Sequence, residues 1–428
     1  MTIRHRLGKA SRETFRSLRV RNFRLFFTGQ IISQVGNWLT LVAQTLLVLK
    51  LTGNGFDVGL LTACQFGPVL LLGAWAGVIA DRSDKRRLLL ITQALAMVQS
   101  FALAVLAFMP DPPVPALYAI AFAGGIVIAF DNPARRAFVV EMVPEPQVPN
   151  AVSLNSALMT ASRIVGPALA GLLIATVGYG WCFLTDGLSY VAVLTALVMM
   201  RPGELRRPPL TARAKGQVRE GLRYIKTMPD LWIPLVMMAV IGTLSFNFQV
   251  VLPLLVTRTF GGNEGTFTLL FSVISIGSLI GALSTARRTS IDLRQEVMAA
   301  GGFGLAMLAL AATPGLGLAF PVAMLVGLFS IMFMTASTAV VQLRADPAMR
   351  GRVLAIQSMV FLGSTPIGGP ILGAVCDAFG ARVGLVVGGV AAVGAAAWAW
   401  VIGRRVTGRR EVVGPGVIDE ALELESRR

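Results

Sequence analysis

Residues 58–87 read VGLLTACQFGPVLLLGAWAGVIADRSDKRR. The first 23 of them, from Val58 to Ala80, contain no charged side chain, and the seven that follow contain two acids and four bases. A helix of about 20 apolar residues spans the hydrocarbon core of a bilayer, which is roughly 30 Å thick. The stretch therefore predicts a membrane-spanning helix that ends in a charged loop at the membrane surface.

Eleven further apolar stretches of similar length accompany this one. Hydrophobic residues make up 55% of the 428 residues, charged residues only 14%, and the mean hydropathy is +0.71. The runs lack the two-residue alternation of a membrane barrel, and a helix bonds its backbone groups internally. We therefore predict an all-α membrane protein with twelve transmembrane helices, at residues 23–51, 58–80, 88–109, 114–133, 151–177, 179–200, 231–256, 267–286, 297–312, 316–341, 353–379 and 383–403.

The basic residues are unevenly distributed along the chain. The formal net charge is +16, and 34 of the 38 Lys and Arg residues lie in the two terminal tails or in every second loop. This bias marks cytoplasmic loops, so we predict that both termini lie in the cytoplasm. Arginine greatly outnumbers lysine, which is typical of a GC-rich bacterial genome, and we therefore predict a bacterial cytoplasmic (inner) membrane protein. Nucleic-acid binding would need basic residues clustered on a soluble face, and no soluble domain is long enough. The exceptions to the bias are Lys50, Arg163, Arg258 and Arg382.

A polar interruption with eight basic residues divides the spans into six and six. A shift of 202 residues places Gly166 on Gly368, and a shift of 204 places Gly77 on Gly281, which indicates a duplicated unit unless these matches among 45 glycines are chance. Two parallel six-helix halves form a transporter architecture with the substrate site between them. The predicted parts are an N-terminal tail (1–22), two pseudo-symmetric halves (23–200 and 231–403), a cytoplasmic linker (201–230) and a C-terminal tail (404–428).

The residue inventory argues against several kinds of chemistry. The only histidine, His5, lies in the N-terminal tail, and the three cysteines show no metal-type spacing. The chain has no Gly-x-x-x-x-Gly-Lys-Ser/Thr phosphate loop. We therefore expect no enzyme activity, metal or cofactor, and no ATP hydrolysis by the chain itself, so that transport would be driven by an ion gradient. The expected partners are the lipid bilayer and an amphipathic small-molecule substrate, and the expected state is a monomer.

The loop after the second span carries a motif. Gly77 allows a neighbouring helix to approach closely, and Asp81 can pair with another helix end and so latch one conformation. The spacing resembles the signature loop of the major facilitator superfamily, Gly-x-x-x-Asp-Arg-x-Gly-basic-basic, although Asp84 stands where that pattern has glycine. The resemblance implies control of the switch between inward- and outward-open states; a plain topology loop is the alternative. The predicted gating residues here are Gly77, Asp81, Arg82, Lys85, Arg86 and Arg87.

The fifth span has a Gly-Pro step at its centre. Pro167 removes a backbone hydrogen bond and bends the helix, while Gly166 and Gly171 thin it for close packing. The pattern is similar to the antiporter motif of the superfamily's exporters, with a lone Gly171 where a double glycine is usual. The resemblance implies a helix bend at these three residues that serves export. The alternative is a packing kink without bearing on the direction of transport.

Residues 131–167 resemble one branch of the superfamily more closely. That branch contains the enterobactin exporter and the macrolide efflux proteins, and the resemblance extends from Arg21 to about Gly403. It implies proton-driven export of an amphipathic small molecule, a drug-like compound or a siderophore, by alternating access. The alternatives are a lipid or lysolipid flippase on the same fold, an importer of a small nutrient, and a non-transporting sensor.

Two isolated charges lie within the fifth and sixth spans. A charge at the centre of a bilayer costs about 2.5–3.5 kcal/mol on insertion scales, so Arg163 needs a cavity or a partner. The tight turn near Gly178 predicts that these helices are antiparallel neighbours, which makes Asp186 the natural partner. We predict that the two residues couple transport to protons; a static ion pair is the alternative. Asp131 and Arg135, near the cytoplasmic end of the fourth span, are predicted to form a gating ion pair.

The first span carries several amides on one face. At 100° per residue these side chains fall together, and a lipid-facing surface would not hold them. They are predicted to line the substrate cavity, or otherwise a seam between helices. Uncharged polar groups surrounded by Phe and Met suit a bulky amphipathic substrate. The predicted cavity residues are Gln30, Gln34, Asn37, Gln44, Asn155, Asn247 and Gln249.

Overall fold

The computed structural model describes residues 14–206, 217–286, 292–346 and 349–412. These residues contain twelve helices long and apolar enough to cross a membrane, which confirms the predicted all-α fold. The seventh, α7, is a broken span that covers residues Pro229–Thr259. The others are α1 (Arg21–Thr52), α2 (Gly55–Arg82), α3 (Lys85–Ala107), α4 (Val114–Glu141), α5 (Val148–Thr176), α6 (Tyr179–Met199), α8 (Glu264–Ala286), α9 (Leu293–Ala312), α10 (Leu316–Arg344), α11 (Arg350–Phe379) and α12 (Ala381–Val412).

Capping residues define several helix ends. The Asp84 carboxylate accepts a hydrogen bond from the Arg87 backbone N–H at 3.1 Å and caps the start of α3. Asp292 caps α9 in the same way through the Gln295 N–H at 2.9 Å. Gly53 ends α1 with φ of 63°, a left-handed conformation that favours glycine. These ends fix the tight turns between consecutive spans.

Two spans differ from their predicted form. The fourth was expected to end at Pro133, but α4 continues through this proline to Glu141, because neighbouring helices can satisfy the backbone groups that a proline frees. The seventh was expected to be continuous, but α7 consists of Pro229–Leu244, Phe248–Leu254 and a π-helical turn at Leu255–Thr259. At the break, the Ser245 hydroxyl donates to the Gly388 carbonyl at 2.7 Å.

The helices of the first half (α1–α6) meet those of the second half (α7–α12) along two seams, α2 with α11 and α5 with α8. At the first seam, glycines allow the backbones to approach closely. A Cβ atom on Gly55 would lie 3.0 Å from the Gly373 carbonyl oxygen, and one on Gly369 would lie 3.1 Å from that of Gly59. Small residues four apart on both helices are typical of tight packing between membrane helices.

The two ends of the bundle are chemically different. The basic face carries the 81–87 loop and the linker helix Gln217–Thr227, while the far face carries the turns at Gly53, Gly178 and Gly380. The linker helix packs on α11 and α7. Its Ile225 belongs to a buried apolar cluster with Val341 of α10 and Val353 of α11. This cluster covers the second half at the basic face.

Candidate functional site

An acid at the end of α11 ties the two halves together at the far face. The Asp377 carboxylate accepts hydrogen bonds from the backbone N–H groups of Gly55 at 2.8 Å and Phe56 at 2.7 Å, at the start of α2. It also forms an ion pair with Arg258 of α7 at 2.7 Å. The Arg258 guanidinium in turn binds the carbonyl of Gly53. We call this cluster of five residues the far-face clasp.

Three further contacts join the halves between the far face and the middle of the spans. The Tyr179 hydroxyl, at the start of α6, donates to the Glu264 carboxylate at the start of α8 at 2.9 Å. In the α5–α8 seam, Gly171 lies against Thr268, and the Ser272 hydroxyl donates to the Ile164 carbonyl at 3.1 Å. Polar contacts between the halves therefore extend from the middle of the spans to the far face.

The basic-face end of α2 is more open. A Cβ atom on Gly77 would meet no atom within 4 Å, so the close helix approach predicted for this glycine is absent in this conformation. Asp81, Arg82 and Arg87 are exposed. The contacts between α2 and α11 extend from Gly55 at the far face to Leu70, which lies against Gly363, and the predicted gate residues lie further along α2 toward the basic face.

Two cations of the same loop bind within the first half. Lys85 forms a buried ion pair with Glu141 at the end of α4, at 2.8 Å. The Arg86 guanidinium donates to the carbonyls of Leu197 at 2.7 Å and Val198 at 3.1 Å, at the end of α6. Both residues were predicted to act in gating. In this structure they join α3 to α4 and α6.

Asp186 is buried in the first half and is held by hydroxyl groups. It is 1% exposed. Its carboxylate accepts hydrogen bonds from Thr40 of α1 at 2.7 Å and Ser100 of α3 at 2.6 Å, with Ser189 at 3.4 Å. A Cβ atom on Gly36 would collide with the same carboxylate. The absence of a side chain at Gly36 therefore makes room for the acid between α1 and α6.

A cavity of about 80 Å³, lined by both polar and apolar side chains, adjoins Asp186. Tyr190 donates to the Asn37 side chain at 2.7 Å, and Gln65 donates to Gln44 at 3.0 Å. All four of these side chains line the cavity together with Asp186. The structure therefore brings Asn37 and Gln44, two of the predicted cavity residues, to the acid of the predicted proton-coupling site.

The predicted pair between Arg163 and Asp186 is not formed. Among the described residues, no ion pair within 4 Å joins them. Arg163 instead lies over the Trp38 ring, 5.9 Å from its centre, and its Nε atom has no hydrogen-bond partner. The expectation was wrong because α5 and α6 are not close neighbours along their length. Helix α1 packs on both, with Trp38 against Gly166 of α5 and Gly36 against Asp186 of α6.

Asp131 forms the predicted ion pair with Arg135, one turn along α4. The carboxylate also accepts hydrogen bonds from Thr92 at 2.8 Å and Gln93 at 2.7 Å, both in α3. All four residues belong to the first half. A gating role for the pair stays a prediction.

The remaining predicted cavity residues lie elsewhere. Gln30 and Gln34 are buried and bonded to each other at 2.9 Å. The Asn247 amide donates to the Thr243 carbonyl at 2.7 Å at the break in α7. Asn155 and Gln249 are half-buried on α5 and α7. The amides of α1 therefore fall into two groups: Asn37 and Gln44 line the cavity beside Asp186, whereas Gln30 and Gln34 bond to each other outside its lining.

Comparison with known proteins identifies the family. The sequence profile of the transmembrane secretion effectors matches residues 12–409. The chain belongs to this family of the major facilitator superfamily. It is a multi-pass membrane protein with the fold of these transporters.

Relatives of this secretion effector include named transporters. The chain is 27% identical to the staphyloferrin A transporter of Staphylococcus aureus, over 83% of this chain and 89% of that one. It is 22% identical to macrolide efflux protein A of Streptococcus pyogenes, over 81% and 87%. Its fold is similar to the crystal structure of a bacterial homolog of the human lysosomal transporter Spinster, with a TM-score of 0.73, 15% identity and 90% and 96% of the chains covered.

Sequence reasoning missed several polar residues of this secretion effector. Asp377 was not singled out, although Arg258 stood out as a cation that breaks the charge bias. The other exceptions also have partners: Lys50 lies over the Tyr179 ring, and Arg382 donates to the Thr313 carbonyl at 2.9 Å. Basic residues that break the charge bias therefore marked sites of structural contact, and Arg258 could have drawn attention to its partner Asp377 in this way.

Proposed function

We propose that this secretion effector exports an amphipathic small molecule, a drug-like compound or a siderophore, by alternating access driven by a proton gradient. Asp186 carries the proposal. It is a buried carboxyl beside a cavity of mixed polar and apolar lining, its described partners are hydroxyl groups, and no described cation lies within 4 Å of it. A carboxyl inside a membrane protein that lacks a fixed counter-ion is suited to gaining and losing a proton.

The relatives support the substrate class. One is named for a siderophore and another for macrolides. Both kinds of compound combine polar groups with a large carbon framework. The cavity beside Asp186 holds only a small part of such a molecule in this conformation, and its neutral amides and tyrosine hydroxyl can bind polar groups of that part by hydrogen bonds. We further propose that the protein is not an enzyme and works as a monomer without nucleic acid or cofactor.

The contacts between the two halves at the far face support the proposal that this structure is the inward-facing state of the transporter. We place the basic face in the cytoplasm of a bacterial cell, in the cytoplasmic membrane, because basic loops are retained on that side. The far face, which the clasp closes, then faces outward. In this state Asp186 would release its proton toward the cytoplasm and the cavity would accept substrate from there. The protein would then change to a state that is open at the far face and closed at the basic face. In that state Asp186 would take up a proton from outside while the substrate is released there.

The test is uphill transport in proteoliposomes with an acidic interior, using erythromycin and ethidium as probes. The wild type should accumulate a probe, and collapse of the pH gradient should abolish accumulation. Asp186→Asn should still exchange probe across the membrane but should not accumulate it, because the amide cannot carry a proton. Asp57→Asn is the matched control, since Asp57 is an acid at the far-face end of α2 that bonds Tyr118 within the first half.

If Asp186→Asn accumulates the probe as well as the wild type does, Asp186 is not the coupling site, and Asp131 becomes the next acid to test. If the wild type moves labelled lipid but neither probe, the flippase alternative replaces export.

A further inference from the structure

Glu296 is a buried acid that the export mechanism above does not use. It lies in the first turns of α9 and is 0% exposed. Neither of its carboxylate oxygens has a hydrogen-bond partner among the described residues. A carboxylate that is fully buried without a cation or hydrogen bonds is strongly disfavoured relative to the neutral acid. The nearby start of α9 favours negative charge only weakly by comparison.

The surroundings of Glu296 are neutral. The Ser337 hydroxyl of α10 faces it, and Gln357 of α11 donates to that hydroxyl at 3.0 Å. Both of these residues are buried. A hydroxyl group can donate to a carboxylate or accept from a carboxylic acid, so this site accommodates both forms of Glu296.

The charged residues on the helices around α9 contact groups other than Glu296 or are exposed. Arg294 of α9 and Arg404 of α12 both lie over the Trp400 ring, at 6.0 Å and 4.4 Å. Arg344 of α10 is exposed, and Asp230 at the start of α7 has other interactions. None of the described cations therefore forms an ion pair with Glu296.

The corresponding place in the first half is built differently. There the acid is Asp131 of α4, which is bonded to Thr92 of α3 and paired with Arg135 one turn further along α4. The repeat shift of 204 residues places Thr92 on Glu296. The second half therefore has its acid on α9, the counterpart of α3, and not on α10. The residue one turn beyond Ser337 on α10 is the apolar Val341, so the second half has no counterpart there of the arginine that pairs with Asp131.

The site is shut off from the basic face in this conformation. Val341 and Val353 lie one turn from Ser337 and Gln357 on the same faces of α10 and α11. Both belong to the buried cluster that Ile225 of the linker helix completes. Separation of these apolar groups would open a route for water from the basic face toward Ser337, Gln357 and Glu296.

We propose that Glu296 is a proton-binding site of the second half, which holds a proton in this conformation and releases it when the Val341–Val353–Ile225 cluster separates. On release, the carboxyl O–H bond breaks, the proton passes to water from the basic face, and the carboxylate accepts a hydrogen bond from Ser337. The role in transport rests on the proton-driven export proposed above, whereas the protonation itself does not.

Infrared spectroscopy of the purified protein in lipid nanodiscs tests the protonation. A protonated carboxyl gives a C=O stretching band that shifts in heavy water. Glu296→Gln should reduce this band at neutral pH, and the exposed Glu145→Gln at the same face is the control that should leave it unchanged. Ser337→Ala keeps the acid but removes the facing hydroxyl, so it should shift the frequency of the band. The proposal is overturned if Glu296→Gln leaves the band intact.

Transport then tests the role of the proton. In proteoliposomes with an acidic interior, Glu296→Gln should lower the erythromycin gradient reached at a given pH difference, because fewer protons accompany each substrate. An unchanged gradient overturns the coupling role. If the wild type transports no probe, the export proposal fails, while the infrared result still decides whether Glu296 holds a proton.

Discussion

The Arg258 guanidinium lies 2.7 Å from the Asp377 carboxylate and also binds the Gly53 carbonyl. One ion pair thereby joins α7 and α11 of the second half to the turn between α1 and α2 of the first. The carboxylate also caps α2 through two backbone N–H groups. Because these contacts exist only while the far face is closed, they stabilise this conformation relative to one that is open there.

Asp377→Ala should shift the conformational equilibrium toward an open far face. Loss of a helix cap costs about 0.5–2 kcal/mol, and a partly exposed ion pair adds up to about 1 kcal/mol. The two terms sum to about 0.5–3 kcal/mol, and a value near the middle, about 1.4 kcal/mol, corresponds to a roughly tenfold change in populations. The distance between spin labels at Asp111→Cys and Gly317→Cys, on opposite halves of the far face, should increase in a background without native cysteines. Asp57→Asn should leave this distance unchanged, and a distance in Asp377→Ala equal to that of the parent would contradict the clasp.

Two glycine substitutions on α2 should bias the protein in opposite directions. Leucine at Gly59 collides with the Gly369 backbone and disfavours the closed far face. The Cβ atom of a leucine at Gly77 would meet no atom within 4 Å in this conformation, but the side chain would obstruct the helix approach that the family motif implies at the basic face. With the same pair of spin labels, Gly59→Leu should lengthen the distance and Gly77→Leu should retain the short one. Identical shifts in both variants would remove Gly77 from the gate.

Gly36→Ala should impair transport by displacing Asp186. The added methyl group would lie 2.6 Å from the Ser189 hydroxyl and would overlap the Asp186 carboxylate. Overpacking of this kind costs typically about 1–3 kcal/mol. The rate of erythromycin efflux should fall severalfold, whereas Gly67→Ala, where a methyl group meets no atom within 4 Å, should match the wild type. Equal rates in the two variants would show that α1 and α6 can separate at little cost.

The buried pair of Lys85 and Glu141 should stabilise the first half only while both charges are present. Lys85→Ala leaves an unpaired buried carboxylate and should destabilise the protein by roughly 3–5 kcal/mol. The double variant Lys85→Met with Glu141→Leu should recover most of this loss, because neither charge then remains. Unfolding midpoints of the purified variants in one detergent provide the measurement. A double variant no more stable than Lys85→Ala would argue for a specific role of the glutamate.

Cysteine labelling of intact cells should establish the orientation. An impermeant thiol reagent should modify Asp111→Cys, which is exposed in a far-face loop, and should not modify Glu145→Cys, which is exposed at the basic face. Permeabilised cells provide the control, since both sites should then react. Labelling of Glu145→Cys alone in intact cells would invert the assignment.

Local composition was sufficient to predict the spans because each one is a continuous apolar run whose length matches the bilayer. The broken α7 was not predicted. Its interruption at Ser245–Asn247 depends on a contact with Gly388, which lies more than 140 residues away. For the same reason, the amides of α1 could be placed on one face from their spacing, but their partners could not be predicted.

The sequence by itself determined the twelve helices, the contrast between basic and far faces, and the presence of rare charges within the membrane. Only the tertiary structure decided which polar groups meet. Asp186 bonds to Thr40 and Ser100 and not to Arg163, since α1 packs on both α5 and α6. Hydropathy is a property of each segment alone, whereas the pairing of buried polar groups depends on which helix faces pack together, and that is settled by the shapes of residues such as Gly36 and Trp38.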